Sequence, residues 1–110
     1  MQQLGALEVK AWLDAAASGV RPAPVLLDVR ETWEYELCHL PGSIPMPMNS
    51  VPTRLAELDR ERAMIVICHH GGRSLQVASF LEQQGFANLS NLHGGVAAWA
   101  RQVDPAMPTY

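Results

Sequence analysis

No stretch of this 110-residue chain approaches the ~20 consecutive apolar residues that a membrane-spanning helix needs. Basic residues are few: eight Lys and Arg against eleven Asp and Glu leave a net charge of −3, with no basic stripe. Aromatic residues make up only 6% of the chain, so the charge and stacking footprint of a nucleic-acid binder is missing. Two cysteines are too few for a disulfide framework and suit a reducing compartment, which points to the cytoplasm. Residues Met1 to Gly5 show no basic region followed by an apolar one, and no secretory leader is expected from them. No internal repeat or low-complexity tract is visible. What is present is material for a core: 48% apolar and 17% charged residues, the balance of a soluble globular protein. The length suits one domain, residues 1–110.

Apolar side chains at Leu7, Trp12, Leu13, Ala16 and Ala17, with Gly19 just beyond, predict an amphipathic helix over 6–17. Val25 to Val29 is short, apolar and bounded by proline and charge, the pattern of a buried strand. A short helix is expected over 31–37, beginning near Glu31 or Thr32. Pro41, Pro45, Pro47 and Pro52 then punctuate a connection that cannot hold a long helix or a central strand. Another short helix is expected near 51–58 and a second buried strand over 63–67. Leu75, Val77, Ala78, Phe80 and Leu81 mark the inner face of a helix over 73–84, closed by Gly85. Asn88 to Asn91 is a weak strand, and Gly94-Gly95 opens a last helix to about Arg101. Residues 104–110 carry two prolines and are expected to pack loosely or fray. Apolar strands alternating with helices predict an α/β sandwich on a largely parallel sheet, whose ligands gather at the carboxyl ends of its strands.

Cys68 ends the second buried strand, and His69-His70-Gly71-Gly72-Arg73-Ser74 leads from it into the next helix. A loop so short and rich in glycine buries little. It can turn backbone N–H groups toward one sulfur atom, and with the helix N-terminus it favours an anion there. Cys68 is therefore expected to give up its proton readily and to act as a nucleophile.

Three segments together resemble the single-domain rhodaneses, a sulfurtransferase family. The first is Leu26-Leu27-Asp28-Val29-Arg30-Glu31, followed by Glu34 and by His39-Leu40-Pro41-Gly42-Ser43-Ile44. The second is the loop Cys68 to Ser74. The third is Asn91-Leu92-His93-Gly94-Gly95-Val96, with Trp99 behind it. They occur in the family's order and span almost the whole chain. The resemblance implies a three-layer α/β/α domain with a central, mainly parallel five-stranded sheet. It also implies that Cys68 takes a sulfane sulfur as a persulfide and passes it on. Cys38 stands where the family usually has glycine.

Sulfur transfer needs a thiolate and a site that stabilises a persulfide anion. Cys68 is the expected catalytic residue, and His69, His70, Gly71, Gly72, Arg73 and Ser74 the expected substrate-binding loop. Arg73 brings positive charge and paired donors for an anionic donor such as thiosulfate. Gly71 and Gly72 supply unusual backbone angles and close approach. His69 and His70 either line the mouth or face solvent. No metal site is expected, because adjacent residues of a tight loop rarely converge on one ion. No organic cofactor is required. Four residues separate Cys68 from Arg73; cysteine phosphatases resemble a Cys-x5-Arg pattern, one residue longer, and the shorter ring suits sulfur over phosphate.

The expected partners are a small sulfur donor and a thiol, cyanide or protein acceptor. The rival readings are a sulfur-relay or redox module with a protein acceptor, a phosphatase-like enzyme, and a non-catalytic binding domain. Asp28 and Arg30 are read as structural, His39 as a turn residue with a hydrogen bond, and Gly94-Gly95 as a tight turn. Trp12 and Trp99 are assigned to the core, while Trp33 could border the pocket. Cys38 is read as structural; a resolving role would require it to lie close to Cys68.

Overall fold

The computed structural model describes residues 1–110. Five strands form one sheet: β1 (Gln2–Leu4), β2 (Val25–Asp28), β3 (Ile44–Pro45), β4 (Met64–Ile67) and β5 (Leu89–Leu92). Their order is β1-β5-β4-β2-β3 and every pairing is parallel. Four helices connect and cover them: α1 (Ala6–Ala17), α2 (Thr32–Leu37), α3 (Gly72–Gln83) and α4 (Gly95–Gln102). Two 3₁₀ turns, Met48–Thr53 and Leu55–Glu57, occupy the proline-punctuated connection. This is the expected α/β architecture.

The apolar strands bury both faces, so their side chains divide by alternation. Leu26, Ile65, Ile67 and Leu92 meet Val9 and Trp12 of α1 and Val96 and Trp99 of α4. Leu27, Met64, Val66 and Leu89 face the other way, onto Val77, Ala78 and Leu81 of α3 and Val51 of the first 3₁₀ turn. Cys68 continues the second set and Cys38 belongs to the first. The sheet therefore separates the two thiols, and both are free.

Three details depart from the sequence reading. In α1 the buried residues of the first turns are Ala6 and Val9, while Leu7 is 62% exposed. The helix meets the sheet through Ala6, Val9 and Trp12, a narrower stripe than its apolar composition suggests. β1 is an edge strand of mainly polar residues, held by pairing with β5 and by the His93 N–H donating to the Leu4 carbonyl at 2.8 Å. The tail is not loose. Met107 is buried, and the Tyr110 ring reaches back over the carboxyl end of the sheet. Its two prolines bend the chain without freeing it, because an apolar and an aromatic side chain anchor it.

Candidate active site

The carboxyl ends of β2, β4 and β5 lie side by side, and the turn after each contributes to one site. After β2 comes a buried ion pair. Arg30 donates to both Asp28 oxygens, at 2.9 Å from Nε and 2.7 Å from Nη2. Its remaining hydrogens go to the carbonyls of Cys38 (2.6 Å) and Glu34 (3.3 Å) and to the Tyr110 hydroxyl (2.9 Å). Both side chains of the pair are fully buried. Burial alone pulls the guanidinium's pKa down, but its bonds to Asp28 and Tyr110 outweigh that and raise it. Arg30 thus stays charged and ties β2, α2 and the tail together, the structural role read from sequence. Cys38, at the end of α2, has an extended backbone (φ −164°) that any residue adopts, so glycine is not needed there.

After β4, Cys68 sits almost fully buried beneath its loop. Two groups donate to its sulfur: the Gly71 N–H at 3.0 Å and the Ser74 hydroxyl at 3.2 Å. Gly71 has φ +105°, a left-handed conformation in which an added Cβ would crowd the backbone of Leu92 and Gly94. Gly72 differs from expectation. It opens α3 with an ordinary φ and open space around it, so it supplies room and no special angle.

The back of the loop rests on the helix after β5. The Val96 and Ala97 amides of α4 donate to the carbonyls of Cys68 (2.9 Å) and His69 (3.1 Å). Because peptides are planar and trans, carbonyls turned toward α4 send the following N–H groups the other way. Gly95 permits this contact. A Cβ there would stand 2.3 Å from the His69 carbonyl oxygen and 2.4 Å from that of Cys68. Gly94-Gly95 is therefore more than a turn: it seats the loop that begins at Cys68.

Arg73 reaches away from the sulfur to α2. Its Nη1 and Nη2 donate to the two Glu34 oxygens at 2.7 and 2.9 Å. The edge expected to grip an anionic donor is thus occupied, leaving Nε and the outer hydrogens for such a contact. Glu34 also accepts from the Glu31 N–H (2.9 Å) and the Tyr110 hydroxyl (2.7 Å). The bond from Arg73 is the main reason its pKa falls from 4.5 to about 2, against the opposing effect of burial. His69 stacks between His70 and the Tyr110 ring, at 3.9 and 4.0 Å between centroids. Burial and the neighbouring His70 hold its pKa below the usual 6.5, so the ring is neutral at pH 7. Trp33, 61% exposed, meets the Tyr110 edge. A cleft of about 180 Å³ opens beside the loop between His69, His70, Tyr110 and Arg101.

The expected loop residues are thus together at one site. Glu34, Asn91, Gln3 and Tyr110 join them without having been assigned a place in it. Asn91 and Glu34 fell inside recognised segments; Gln3 and Tyr110 left no signal, since only the fold brings the chain ends to this point.

Residues 7–102 match the model of the rhodanese-like domain. The chain belongs to the rhodanese-like domain family. It is 42% identical over 89 residues to rhodanese-like/PpiC domain-containing protein 12, chloroplastic, of Arabidopsis thaliana, covering 77% of this chain and 30% of that protein. It is 36% identical over 77 residues to a sulfurtransferase of Allochromatium vinosum, covering 70% and 72% respectively. The crystal structure of a rhodanese-related protein from Thermoplasma volcanium superposes with a TM-score of 0.81 at 27% identity, over 94% of each chain. The five-stranded parallel sheet is therefore the rhodanese-like fold, and Cys68 lies on it at the carboxyl end of β4. The chain spans under a third of the Arabidopsis relative, whose full activity is a property of a longer protein.

Proposed function

We propose that this rhodanese-like domain is a sulfurtransferase that carries sulfane sulfur on Cys68. The observation behind the reading is the convergence of the Gly71 N–H and the Ser74 hydroxyl on one buried sulfur at a strand end. The fixed Gly71 N–H, and the Ser74 hydroxyl when it turns its hydrogen to sulfur, lower the cost of negative charge where a bare sulfur would be poorly solvated. In the first half-reaction the Cys68 thiolate attacks the outer sulfur of thiosulfate, or of a persulfide donor. A new S–S bond forms, the old one breaks, and sulfite or the donor thiolate leaves with the bonding pair. In the second, a thiophilic acceptor (cyanide, a thiol or a protein cysteine) attacks the outer sulfur and restores Cys68. Electrons balance without an external oxidant, metal or organic cofactor. One covalent intermediate shared by two substrates gives ping-pong kinetics.

Incubation with thiosulfate should add one sulfur atom to Cys68, removable by reductant, and addition of cyanide should release thiocyanate. Both signals should vanish in Cys68→Ser. Turnover of an aryl phosphate with none of thiosulfate would select the phosphatase reading instead, and a protein that takes sulfur from no donor would be a binding domain. A protein acceptor is favoured over a free small thiol by Trp33 and Leu37, both exposed and one turn apart on α2 beside Glu34. Such a partner should outcompete cyanide for the loaded sulfur, and Trp33→Ala should slow that transfer alone.

A further inference from the structure

The Ser74 hydroxyl has one hydrogen and two acceptors in reach. Cys68 Sγ is 3.2 Å from its oxygen, and Asn91 Oδ1 is closer, in a short hydrogen bond. The rest of the Asn91 amide is fixed from behind. Its Nδ2 donates to the Gly71 carbonyl at 3.2 Å and to Gln3 Oε1 at 2.8 Å. A carbonyl only accepts, so Gly71 dictates which end of the amide is the NH₂. The oxygen end is then the one presented to Ser74, and it also only accepts. Ser74 and Asn91 are 0% and 1% exposed, which leaves no room for solvent to serve as an extra partner. Both donors to the sulfur, Gly71 and Ser74, are thereby held by one side chain.

We propose that Asn91 is a positioning residue that competes with Cys68 for the Ser74 hydrogen and so restrains charge on the resting sulfur. With a neutral thiol, S–H donates to Ser74 and Ser74 donates to Asn91, and every hydrogen is used. When the thiol loses its proton to solvent, Ser74 must turn its hydrogen to sulfur, and a buried amide oxygen is left without a donor. In a persulfide the inner sulfur is bonded to the outer one, which bears the charge, and Ser74 keeps its bond to Asn91. The arrangement favours charge on the carried sulfur over charge on the resting one. The other charged or titratable groups around the sulfur are Arg73 with its partner Glu34, the His69 and His70 rings, and Tyr110. None of them is hydrogen-bonded to Ser74 or Asn91.

The inference rests on Cys68 being the reacting atom proposed above, but it is read on the free thiol without a sulfur donor. Iodoacetamide alkylation of the Cys68 peptide is followed by mass spectrometry across pH, each rate normalised to its own alkaline plateau. Asn91→Leu should raise the normalised rate at pH 7 about 3- to 10-fold, as expected for one freed hydrogen bond to sulfur. Ser74→Ala should lower it, and the double variant should match Ser74→Ala. No rise in Asn91→Leu, or an equal rise in both backgrounds, overturns the proposal. Thermal melts verify folding. Should the leucine variant not fold, Asn91→Asp carries the test with opposite sign: a firmer acceptor lowers the rate, and does so less once Ser74 is gone. Equal falls in both backgrounds overturn it. A protein that shows this coupling yet takes sulfur from neither thiosulfate nor a persulfide donor loses the transfer reading and keeps this one; the converse loses only this one.

Discussion

Glu34 accepts four hydrogen bonds on two oxygens, from Arg73 twice, Tyr110 and its own helix start at Glu31. That fills the lone-pair capacity of a carboxylate and makes Glu34 the residue on which the Arg73 side chain depends. Its pKa in the folded protein, about 2, lies below the ordinary 4.5. Folding is therefore favoured by the ionised form: the contribution is complete above about 4.5 and is lost as pH falls toward 2. Because Arg73 is partly exposed, solvent screening reduces the effect to about 2 kcal/mol. Urea melts of wild type and Glu34→Gln should differ by about that amount at pH 6 and converge toward pH 2. A difference that stays constant across this range would mean that packing, and not charge, is what Glu34 supplies. In Glu34→Gln, Arg73 also loses the carboxylate that turns it toward α2, and sulfur transfer from an anionic donor should change with it.

At the scale of elements, the site is a loop clamped between two helix starts. α3 begins within the loop, and α4 presses its first amides onto the loop's carbonyls. The two glycines nearest these contacts have opposite demands. Gly95 combines φ +61° with a Cβ position inside hydrogen-bonding distance of two carbonyl oxygens, whereas Gly72 has an ordinary φ and nothing nearby. Gly95→Ala should cost about 2–3 kcal/mol and displace the loop, so that transfer falls further than stability alone explains. Gly72→Ala should melt within about 1 kcal/mol of wild type, since it mainly restricts the unfolded chain. Equal melting temperatures for the two variants would contradict this seating of the loop. The strands and helices involved were legible in the sequence. β2 and β4 announce themselves as apolar runs between breakers, and α3 by its period. Cys68 with its loop was legible for the same reason, a strand end, glycines and a helix start in immediate succession. β5 read weakly because Ser90 and Asn91 interrupt its apolar pattern, and β1 did not register because an edge strand of Gln2 and Gln3 carries no periodic signal. Asn91 interrupts the strand because its amide serves Ser74 and Gly71.

Across the whole molecule, contacts distant in sequence converge on the carboxyl end of the sheet. Gln3 meets Asn91, Glu34 meets Arg73, and Tyr110 meets Arg30 and Glu34. No buried side-chain nitrogen or oxygen lacks a partner. Such long-range polar matches cannot be read from local pattern, which is why the tail's composition suggested fraying while its structure is anchored. Tyr110 is the clearest case. Its hydroxyl accepts from Arg30 and donates to Glu34, and its ring lies flat on His69. Burial first, and the nearby Glu34 after it, push its pKa up to about 12, against the pull of Arg30, so the hydroxyl keeps its donor through alkaline pH. Tyr110→Phe keeps the stacked ring but leaves Glu34 one donor short and Arg30 one acceptor short, a loss of about 1–2 kcal/mol. Tyr110→Ala also removes the ring contacts and should cost about 1 kcal/mol more. The informative measurement is hydrogen exchange. If the tail is part of the site, Tyr110→Ala should raise exchange both in residues 105–110 and in the loop from His69 to Ser74, although 30 residues of chain separate the two segments. Faster exchange confined to the tail would make Tyr110 an anchor for its own segment alone.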